Sequence, residues 1–557
     1  MRFSSRPARI GLSALSAALM VLSVPTFDVW PLMWVALLPS LHVALTAVSP
    51  RRAFWWGWLT GGIANTAAFF WMKGLLERFG HMPAIEAIPI MMLLTTYQGL
   101  EFGLWSWGVH RLARRRPDVP LAWLAPLVMV TLELLLPQIF PFYLAISQAW
   151  VPPVIQIADL TGPMGITFVM VMVTGALYDA GRAGAAARAG RAAGAPAGLW
   201  RRVSRRLAVP AAVVLGVLVY GAVRIRQVDH RRGAAPRVKV GIVQANVGIQ
   251  EKWDPRESAR LLTLHQQQSA DLDRRGADLI VWPESSYPYA LPRDLQSDFP
   301  LGDPRRVRGD FRAPLLFGAV TLSSDPRTRV DRYPYNTALM MDRSGHVTGK
   351  FDKVFLLVFG EYIPFYERIP WFTDVFPEAS NFNRGQAPAA FPLRVGDRDY
   401  RVGPLICYED ILPGFTRSVA ALEPNLLVNI TNDAWFGKTA EPYQHLALAV
   451  FRSVEHRLDL VRSVNTGVSA HVDAAGRVRL AGPAVDPDSH PAPEPTALLA
   501  EAVLLEPGGL YQHVGDAFAY ACLVALAVLA VRPPRKPRRH RGHRTTTAAS
   551  DRRASDY

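Results

Sequence analysis

Cysteine is nearly absent from this chain: Cys407 and Cys522 are the only two in 557 residues. They lie in regions of opposite character, Cys522 inside an apolar run, which argues against a disulfide framework. Charge is also scarce. Only 19% of residues are charged against 50% hydrophobic, a balance poorer in charge than a wholly soluble protein needs, so part of the chain belongs in a membrane. No Gly-rich phosphate loop appears. His445, His456, His471 and His513 show no close ligand spacing and the two cysteines are far apart, so no metal and no cofactor is expected.

What is present begins with apolar runs. Segments 9–24, 30–48, 54–72, 87–109, 121–136, 163–178 and 207–223 each approach the ~20 residues needed to cross a bilayer, and an eighth, 514–531, stands alone near the C-terminus. Proline and glycine inside such runs are tolerated in lipid-embedded helices. The first run has the length of a signal peptide, but further runs follow at once, so it is read as a span.

Acidic residues are outnumbered, 46 to 61, giving a net charge of +15, and the basic excess is not spread evenly. With eight spans, one side receives Arg2, Arg6, Arg9, Arg51, Arg52, the run RLARRR at 111–116, seven arginines between Gly181 and Arg206, and the tail RPPRKPRRHRGHR. The opposite short loops hold only Lys73 and Arg78, and 137–162 holds no Lys or Arg. The positive-inside rule then puts both termini in the cytoplasm and the segment between spans seven and eight on the far side. Anionic lipid and topology account for these basic residues, so nucleic acid is not an expected partner. The Arg/Ala/Gly linker at 180–206 and the tail at 532–557 read as flexible.

The expected division is therefore a seven-span domain at 1–228, an extramembrane domain at 229–513, a last span at 514–531 and a basic tail. Residues 229–513 change character: VKVGIVQANV, ADLIVWPES, LLFGAVTL, NTALMMDRSGHVTGKF and NLLVNITNDAWFG read as buried strands. Helices are expected at 255–275, with Pro255 in the first turn, and at 443–457. The pattern predicts a layered α/β domain.

Three strand ends carry possible chemistry. The run 402–406 ends abruptly at Cys407, the run 279–282 leads to Glu284 in WPES, and Lys353 lies in GKFDKVFLLVFGEYIPF. A thiol needs a base to take its proton and a positive donor for the oxyanion, so Glu, Lys and Cys form a complete set for acyl transfer. Taken singly each has a duller explanation: a packed cysteine, a helix-capping glutamate, a surface lysine.

In this order, VQANV, WPES, GKFDKVFLLVFGEYIPF, GPLICYED and NITNDAWFG resemble the nitrilase superfamily. With spans before and after them, the chain resembles the membrane-embedded branch, the apolipoprotein N-acyltransferases. That resemblance implies an α-β-β-α sandwich, with Cys407 as nucleophile, Glu284 as general base and Lys353 as oxyanion holder. It also implies Glu361 as a second essential carboxylate, eight residues after Lys353, and Trp253, Tyr408 and Glu409 as pocket or lid residues. It implies a bacterial inner-membrane monomer whose catalytic domain faces the periplasm. The reaction would be ping-pong, a phospholipid acylating Cys407 and the diacylated N-terminal cysteine of an apolipoprotein accepting the chain. One departure stands out: where that family usually has His-Leu-Val-Pro before Phe-Gly-Glu, this chain has Phe355-Leu356-Leu357-Val358, which bears on loop rigidity and substrate preference. A membrane-tethered amidase acting on a soluble amide is the alternative; it would leave a multi-span block without purpose. Aromatics such as Trp71, Trp105 and Trp107 could line a lipid entry region, although interfacial belts are the commoner explanation. Glu101 and Glu133 fall in or near spans with no role assigned.

Overall fold

The computed structural model describes residues 5–138, 140–192, 199–322, 334–358, 360–362, 382–486 and 493–531. Parts of two expected features, the Arg-rich linker (193–198) and the loop around Glu361 (359 and 363–365), lie outside the described residues, as does the whole basic tail.

All eight apolar runs fall on helices, but several are broken into shorter pieces. Segment 30–48 divides into Trp30–Leu32, Met33–Ala36 and Leu38–Thr46; segment 54–72 is shared by Pro50–Ala68 and Trp71–Phe79; segment 87–109 divides at Gly99 into Ala84–Gln98 and Leu100–Arg115. Among the described residues, two helical segments, Pro163–Ala186 and Arg206–Ala234, are long and apolar enough to cross a membrane, with shorter apolar helices at Trp30–Thr46, Leu121–Leu135 and Ala517–Val531. The sequence reading of eight full-length spans therefore differs from the helices found. Packing supplies one reason: a side chain at Gly99 would strike the backbone of Gly61 and Gly62, so the break at Gly99 sits where two helix backbones meet closely.

The second half folds into two sheets. Thirteen strands are described: β1 Arg237–Gln244, β2 Leu279–Val281, β3 Leu291–Pro292, β4 Leu315–Leu322, β5 Tyr335–Met341, β6 Val347–Asp352, β7 Phe391–Val395, β8 Arg398–Ile406, β9 Leu426–Thr431, β10 Leu460–Val464, β11 Ala470–Val472, β12 Val478–Ala481 and β13 Thr496–Val503. One sheet runs β13-β1-β2-β4-β5-β6 with β3 beside β4; the other runs β12-β11-β10-β9-β8-β7. The centres are parallel, β1 with β2 and β4 in the first sheet and β8 with β9 and β10 in the second, while the flanking pairs are antiparallel. Parallel centres covered on both faces explain why these strands read as continuous apolar runs rather than alternating ones.

The sheets pack face to face. Val240, Ile242, Val281 and Leu316 of the first share one core with Leu405, Leu427 and Leu460 of the second, and the Ser463 hydroxyl donates across the gap to the carbonyls of Val243 and Val281 at 2.9 and 3.1 Å. The helix Ser258–Arg274 covers the outer face of the first sheet, where Trp282 donates to Ser269 Oγ at 2.7 Å. Pro255 lies in a turn ahead of that helix rather than in its first turn, because the chain must first leave the short helix Ile249–Lys252. The helix Glu441–His456 covers the second sheet and is buried against the N-terminal helices. There Trp71 Nε1 donates to Gln444 Oε1 at 3.0 Å, and the Arg457 guanidinium meets Asp159 at 2.6 Å. The result is a helix–sheet–sheet–helix sandwich joined to a helical N-terminal region.

Candidate active site

The strand order brings the three expected residues together from different places in the chain. β8 lies between β9 and the edge strand β7 and stops at Ile406; Cys407 follows with φ of 51°, a left-handed turn that costs a non-glycine residue energy and marks a site where the surroundings enforce it. The turn lifts the thiol out of the strand, and Asn429 Nδ2 fixes it by donating to the Cys407 carbonyl at 3.1 Å. β2 ends at Val281, and Pro283 and Glu284 continue past it; a side chain on Gly318 of neighbouring β4 would collide with their backbone. Lys353 follows directly on β6.

At the centre, Lys353 Nζ lies 3.0 Å from Glu284 Oε1 and 2.7 Å from Glu361 Oε2. Asn336, on β5, ties the two carboxylates together, its Nδ2 donating to Glu284 Oε1 at 2.7 Å and Glu361 Oε1 at 2.8 Å. Burial alone would raise the Glu284 carboxyl, but the charges of Lys353 and Lys252 and the donors on it hold it below its ordinary value. Lys353 is likewise depressed by burial and then raised well above its ordinary value by Glu284, Glu361 and Cys407. Burial and the adjacent Glu284 charge push the Cys407 thiol well above its usual range, against Lys353. The resting sulfur is thus a neutral thiol beside an ionised carboxylate, an arrangement suited to proton transfer on attack rather than to a standing thiolate.

Glu409 differs from the pocket-and-lid expectation. Its side chain is fully buried, with one oxygen accepting the N–H groups of Val354 and Phe355 at 2.7 and 3.1 Å and the other accepting that of Ile406 at 2.9 Å. It therefore ties the Lys353 loop to the Cys407 turn. Tyr408 and Cys407 line an apolar cleft together with Phe69, Trp71, Phe140 and Phe142 of the N-terminal region. Trp253 is exposed beside the site, as are Phe355 and Val358, the departures in the loop before Glu361. Trp71 thus faces this cleft, whereas Trp105 is fully buried and Trp107 exposed.

One wall of the cleft carries a second buried charge cluster, Glu441 and His445 being among the lining residues. His445 Nε2 is 2.9 Å from Asp410, Nδ1 is 3.5 Å from Asp433 and 3.7 Å from Glu441, and Arg462 pairs with Asp410. Asp433, Glu441 and His445 hold atoms of ligand type within 4.8 Å of one another. Burial and Arg462 would lower His445, but Asp410 and the bonds to Asp410 and Asp433 outweigh them and raise it to about 10. With the imidazole protonated, both ring nitrogens turn a proton toward carboxylates and the trio acts as an ion network; a metal ion would have to displace the Nδ1 proton to use the same atoms. Glu101 and Glu133, for their part, serve the breaks between helices. Gln138 donates to Glu101 at 3.1 Å, and Leu144 N and Thr167 Oγ1 each donate to Glu133 at 3.0 Å.

Several participants escaped the sequence reading. Asn336 sits inside the strand segment NTALMM, where an asparagine gives no signal beyond being a poor strand former. Lys252 was overshadowed by Trp253. The Trp71–Gln444 contact joins residues 373 apart, which no local pattern encodes.

Residues 239–487 match the carbon-nitrogen hydrolase family profile, which defines the class of the sandwich domain. Residues 16–176 match the profile of the apolipoprotein N-acyltransferase N-terminal domain. An apolipoprotein N-acyltransferase of Geobacter metallireducens is 32% identical over 94% of this chain and 95% of its own length, and that of Bdellovibrio bacteriovorus is 29% identical over 83% and 84%. A crystal structure of an amidase from Nesterenkonia sp. is 21% identical, covering 51% of this chain and 95% of its own, with a TM-score of 0.34. The chain belongs to the apolipoprotein N-acyltransferase family.

Proposed function

We propose that this protein N-acylates the diacylglyceryl-modified N-terminal cysteine of apolipoproteins, taking the acyl chain from a phospholipid through a thioester on Cys407. The observation that carries this reading is the meeting of two unlike environments at one sulfur: a Glu284–Lys353–Glu361 charge centre on one side and an apolar cleft, walled by Trp71 and Phe142, on the other.

In the first half-reaction Glu284 takes the Cys407 proton as the sulfur attacks the ester carbonyl. Lys353 faces the oxyanion, and protonated Glu284 returns its proton to the departing lysophospholipid alkoxide. In the second, the acceptor amine attacks the thioester, Glu284 accepts a proton from nitrogen, and the thiolate leaves and takes that proton from Glu284, which restores the resting thiol and carboxylate. Glu361 and Asn336 hold Lys353 and Glu284 in register, and Glu409 locks the Cys407 turn to the Lys353 loop. The apolar cleft suits an acyl chain, each methylene of which costs about 0.8 kcal/mol to leave in water.

The N-terminal helices would embed the cleft at the bilayer. In this reading residues 1–228 form a seven-span domain, 229–513 face the periplasm, 514–531 return through the inner membrane, and both termini are cytoplasmic, as the arginine distribution favours. Broken helices that shield one another's ends, in a bilayer that thins locally around them, can traverse with fewer residues than a lone straight span. The working unit is a monomer, since both walls of the cleft come from one chain.

The decisive experiment uses purified protein in detergent, a phospholipid with a labelled acyl chain, and intact-protein mass spectrometry before and after addition of a diacylated lipopeptide. Wild type should gain one acyl mass that passes to the lipopeptide, and Cys407→Ala should gain none. No adduct from any phospholipid, with ammonia released from soluble amides, would overturn the reading in favour of a tethered amidase.

A further inference from the structure

Lys252 ends the short helix Ile249–Lys252, one residue before Trp253, and none of the roles assigned so far uses it. Its side chain turns inward: Nζ donates to the Glu284 carbonyl at 3.2 Å. Its ammonium lies within electrostatic reach of Glu284, Cys407 and Lys353.

A charge count shows why that position matters. Lys353 is bonded to two carboxylates, Glu284 at 3.0 Å and Glu361 at 2.7 Å, so these three groups already sum to one negative charge with Cys407 protonated. Moving the proton from Cys407 Sγ to Glu284 leaves the sum unchanged but concentrates negative charge on sulfur and then, after attack, on the carbonyl oxygen. A buried centre carrying net negative charge resists that step, because like charges at low dielectric repel strongly. The other cations at the cleft, the His445 imidazolium and Arg462, are already set against Asp410, Asp433 and Glu441, and the remaining surrounding elements supply no cation among the described residues. From the helix Ser258–Arg274 comes His265, which burial holds neutral, down to about 4; from the turn Asp433–Trp435 after β9 comes Asp433, a further negative influence on the thiol; Asn336 on β5 is uncharged. Among the described residues, Lys252 is the further positive group that interacts electrostatically with Cys407.

We propose that Lys252 is a second cation of the reaction centre, balancing the negative charge that passes through Cys407 when its proton moves to Glu284. The proposal rests on the Glu284–Lys353–Cys407 reading and adds a residue to it. Burial, ahead of the repulsion from Lys353, brings the Lys252 ammonium down to about 8 against Glu284 and Cys407, so the balancing charge fades on the alkaline side of neutrality.

The test needs no lipid. Full-length protein in detergent is treated with iodoacetamide between pH 6 and 10, and carboxamidomethylation at Cys407 is followed by peptide mass spectrometry. Lys252→Met should slow alkylation at fixed pH on the order of tenfold and displace its pH profile upward by about one unit, while Lys252→Arg keeps most of the wild-type rate. Lys252→Gln, read the same way, covers the case in which the methionine variant does not fold. A wild-type rate and profile in a neutral variant would overturn the proposal. In that event, poorer thioester formation from a phospholipid, with unchanged formation from an uncharged p-nitrophenyl ester, would assign Lys252 to the lipid phosphate instead. Failure of the underlying reading looks different: wild-type Cys407 would take no acyl group from any phospholipid.

Discussion

Lys353 and Arg457 are both buried cations set against carboxylates, 2% and 0% exposed, yet they are finished differently. Arg457 donates from Nε to Asp159 at 3.1 Å, from Nη1 to Gln156 Oε1 and the Ala474 carbonyl at 2.6 and 3.2 Å, and from Nη2 to the Gln156 carbonyl at 3.1 Å. Its partner Asp159 is equally engaged, accepting from Tyr220 and Arg224 at 2.7 and 2.8 Å. Lys353 meets two carboxylates and then a thiol with which it forms no ion pair at rest. A buried ion cluster with every donor and acceptor matched fixes one region against another; one in which Asn336 Oδ1 lacks a partner among the described residues, and which adjoins a neutral thiol on an apolar cleft, is held ready for a charge that appears only during reaction. The degree of saturation, not burial, separates the docking device from the chemical one.

The largest effects should fall on the unsaturated cluster. Lys353→Met removes the charge facing the oxyanion and should lower the rate of acyl-enzyme formation by at least the 10²–10³ typical of a lost oxyanion donor, while Cys407→Ala should abolish the adduct, both read by intact mass. The thiol's raised proton affinity adds a pH signature. Alkylation of wild-type Cys407 should still be climbing at pH 9, because burial and Glu284 hold the thiol protonated past its usual range. A plateau below pH 8 would mean a standing thiolate and would remove the need for Glu284 as base.

Arg457→Met probes the saturated cluster. Removing one of the two guanidinium partners of buried Asp159, Arg224 remaining at 2.8 Å, should cost about 1.5–3 kcal/mol of stability, seen as a lower unfolding midpoint in detergent, whereas alkylation of Cys407 well below that midpoint should stay close to wild type. If alkylation fell together with stability, the two clusters would be one cooperative unit and the contrast between them would fail. Glu409→Gln sits between these cases. An amide replaces one of the two acceptor oxygens, leaving backbone N–H groups at Val354 and Phe355, or at Ile406, without a partner, a loss of about 1–3 kcal/mol. Because those groups join the Cys407 turn to the Lys353 loop, acyl-enzyme formation should fall more than thermal stability alone explains. An activity loss fully recovered by measuring at lower temperature would leave Glu409 a stabilising residue only.

These contrasts also explain what was legible beforehand. Glu284 and Cys407 stand where apolar strands stop, and a polar residue at the end of a buried run is a local signal that sequence carries well; Lys353 follows a mixed, partly exposed strand and is set apart by the spacing to Glu361 that the family resemblance implies. The α/β layering followed from the same runs. Helix lengths in the N-terminal half were less legible, since apolar composition does not record where two backbones meet, as at Gly99 against Gly61 and Gly62. Least legible were partners contributed by distant segments: Asn336 bridging two carboxylates, Asp159 reaching Arg457 across 298 positions, and Trp71 reaching Gln444. Each is an ordinary polar or aromatic residue until the fold supplies its neighbour.

Trp71 gives the smallest expected effect and the most specific one. Its ring packs edge-on against Phe69, Phe140 and Phe436 with centroids 5.2 to 5.8 Å apart, and its N–H is anchored on Gln444, so it forms a rigid wall of the cleft beside Cys407. Trp71→Ala should leave the charge centre intact, and hence alkylation by iodoacetamide, while removing apolar contact from part of an acyl chain. Since each methylene transferred from water is worth at most about 0.8 kcal/mol, the loss should grow with chain length. In direct competition, long-chain phospholipid donors should lose their advantage over short-chain donors by a few-fold, with Trp71→Phe retaining most of it. An unchanged ratio between donors would place the chain elsewhere, and the apolar cleft would then belong to the acceptor's lipid rather than the donor's.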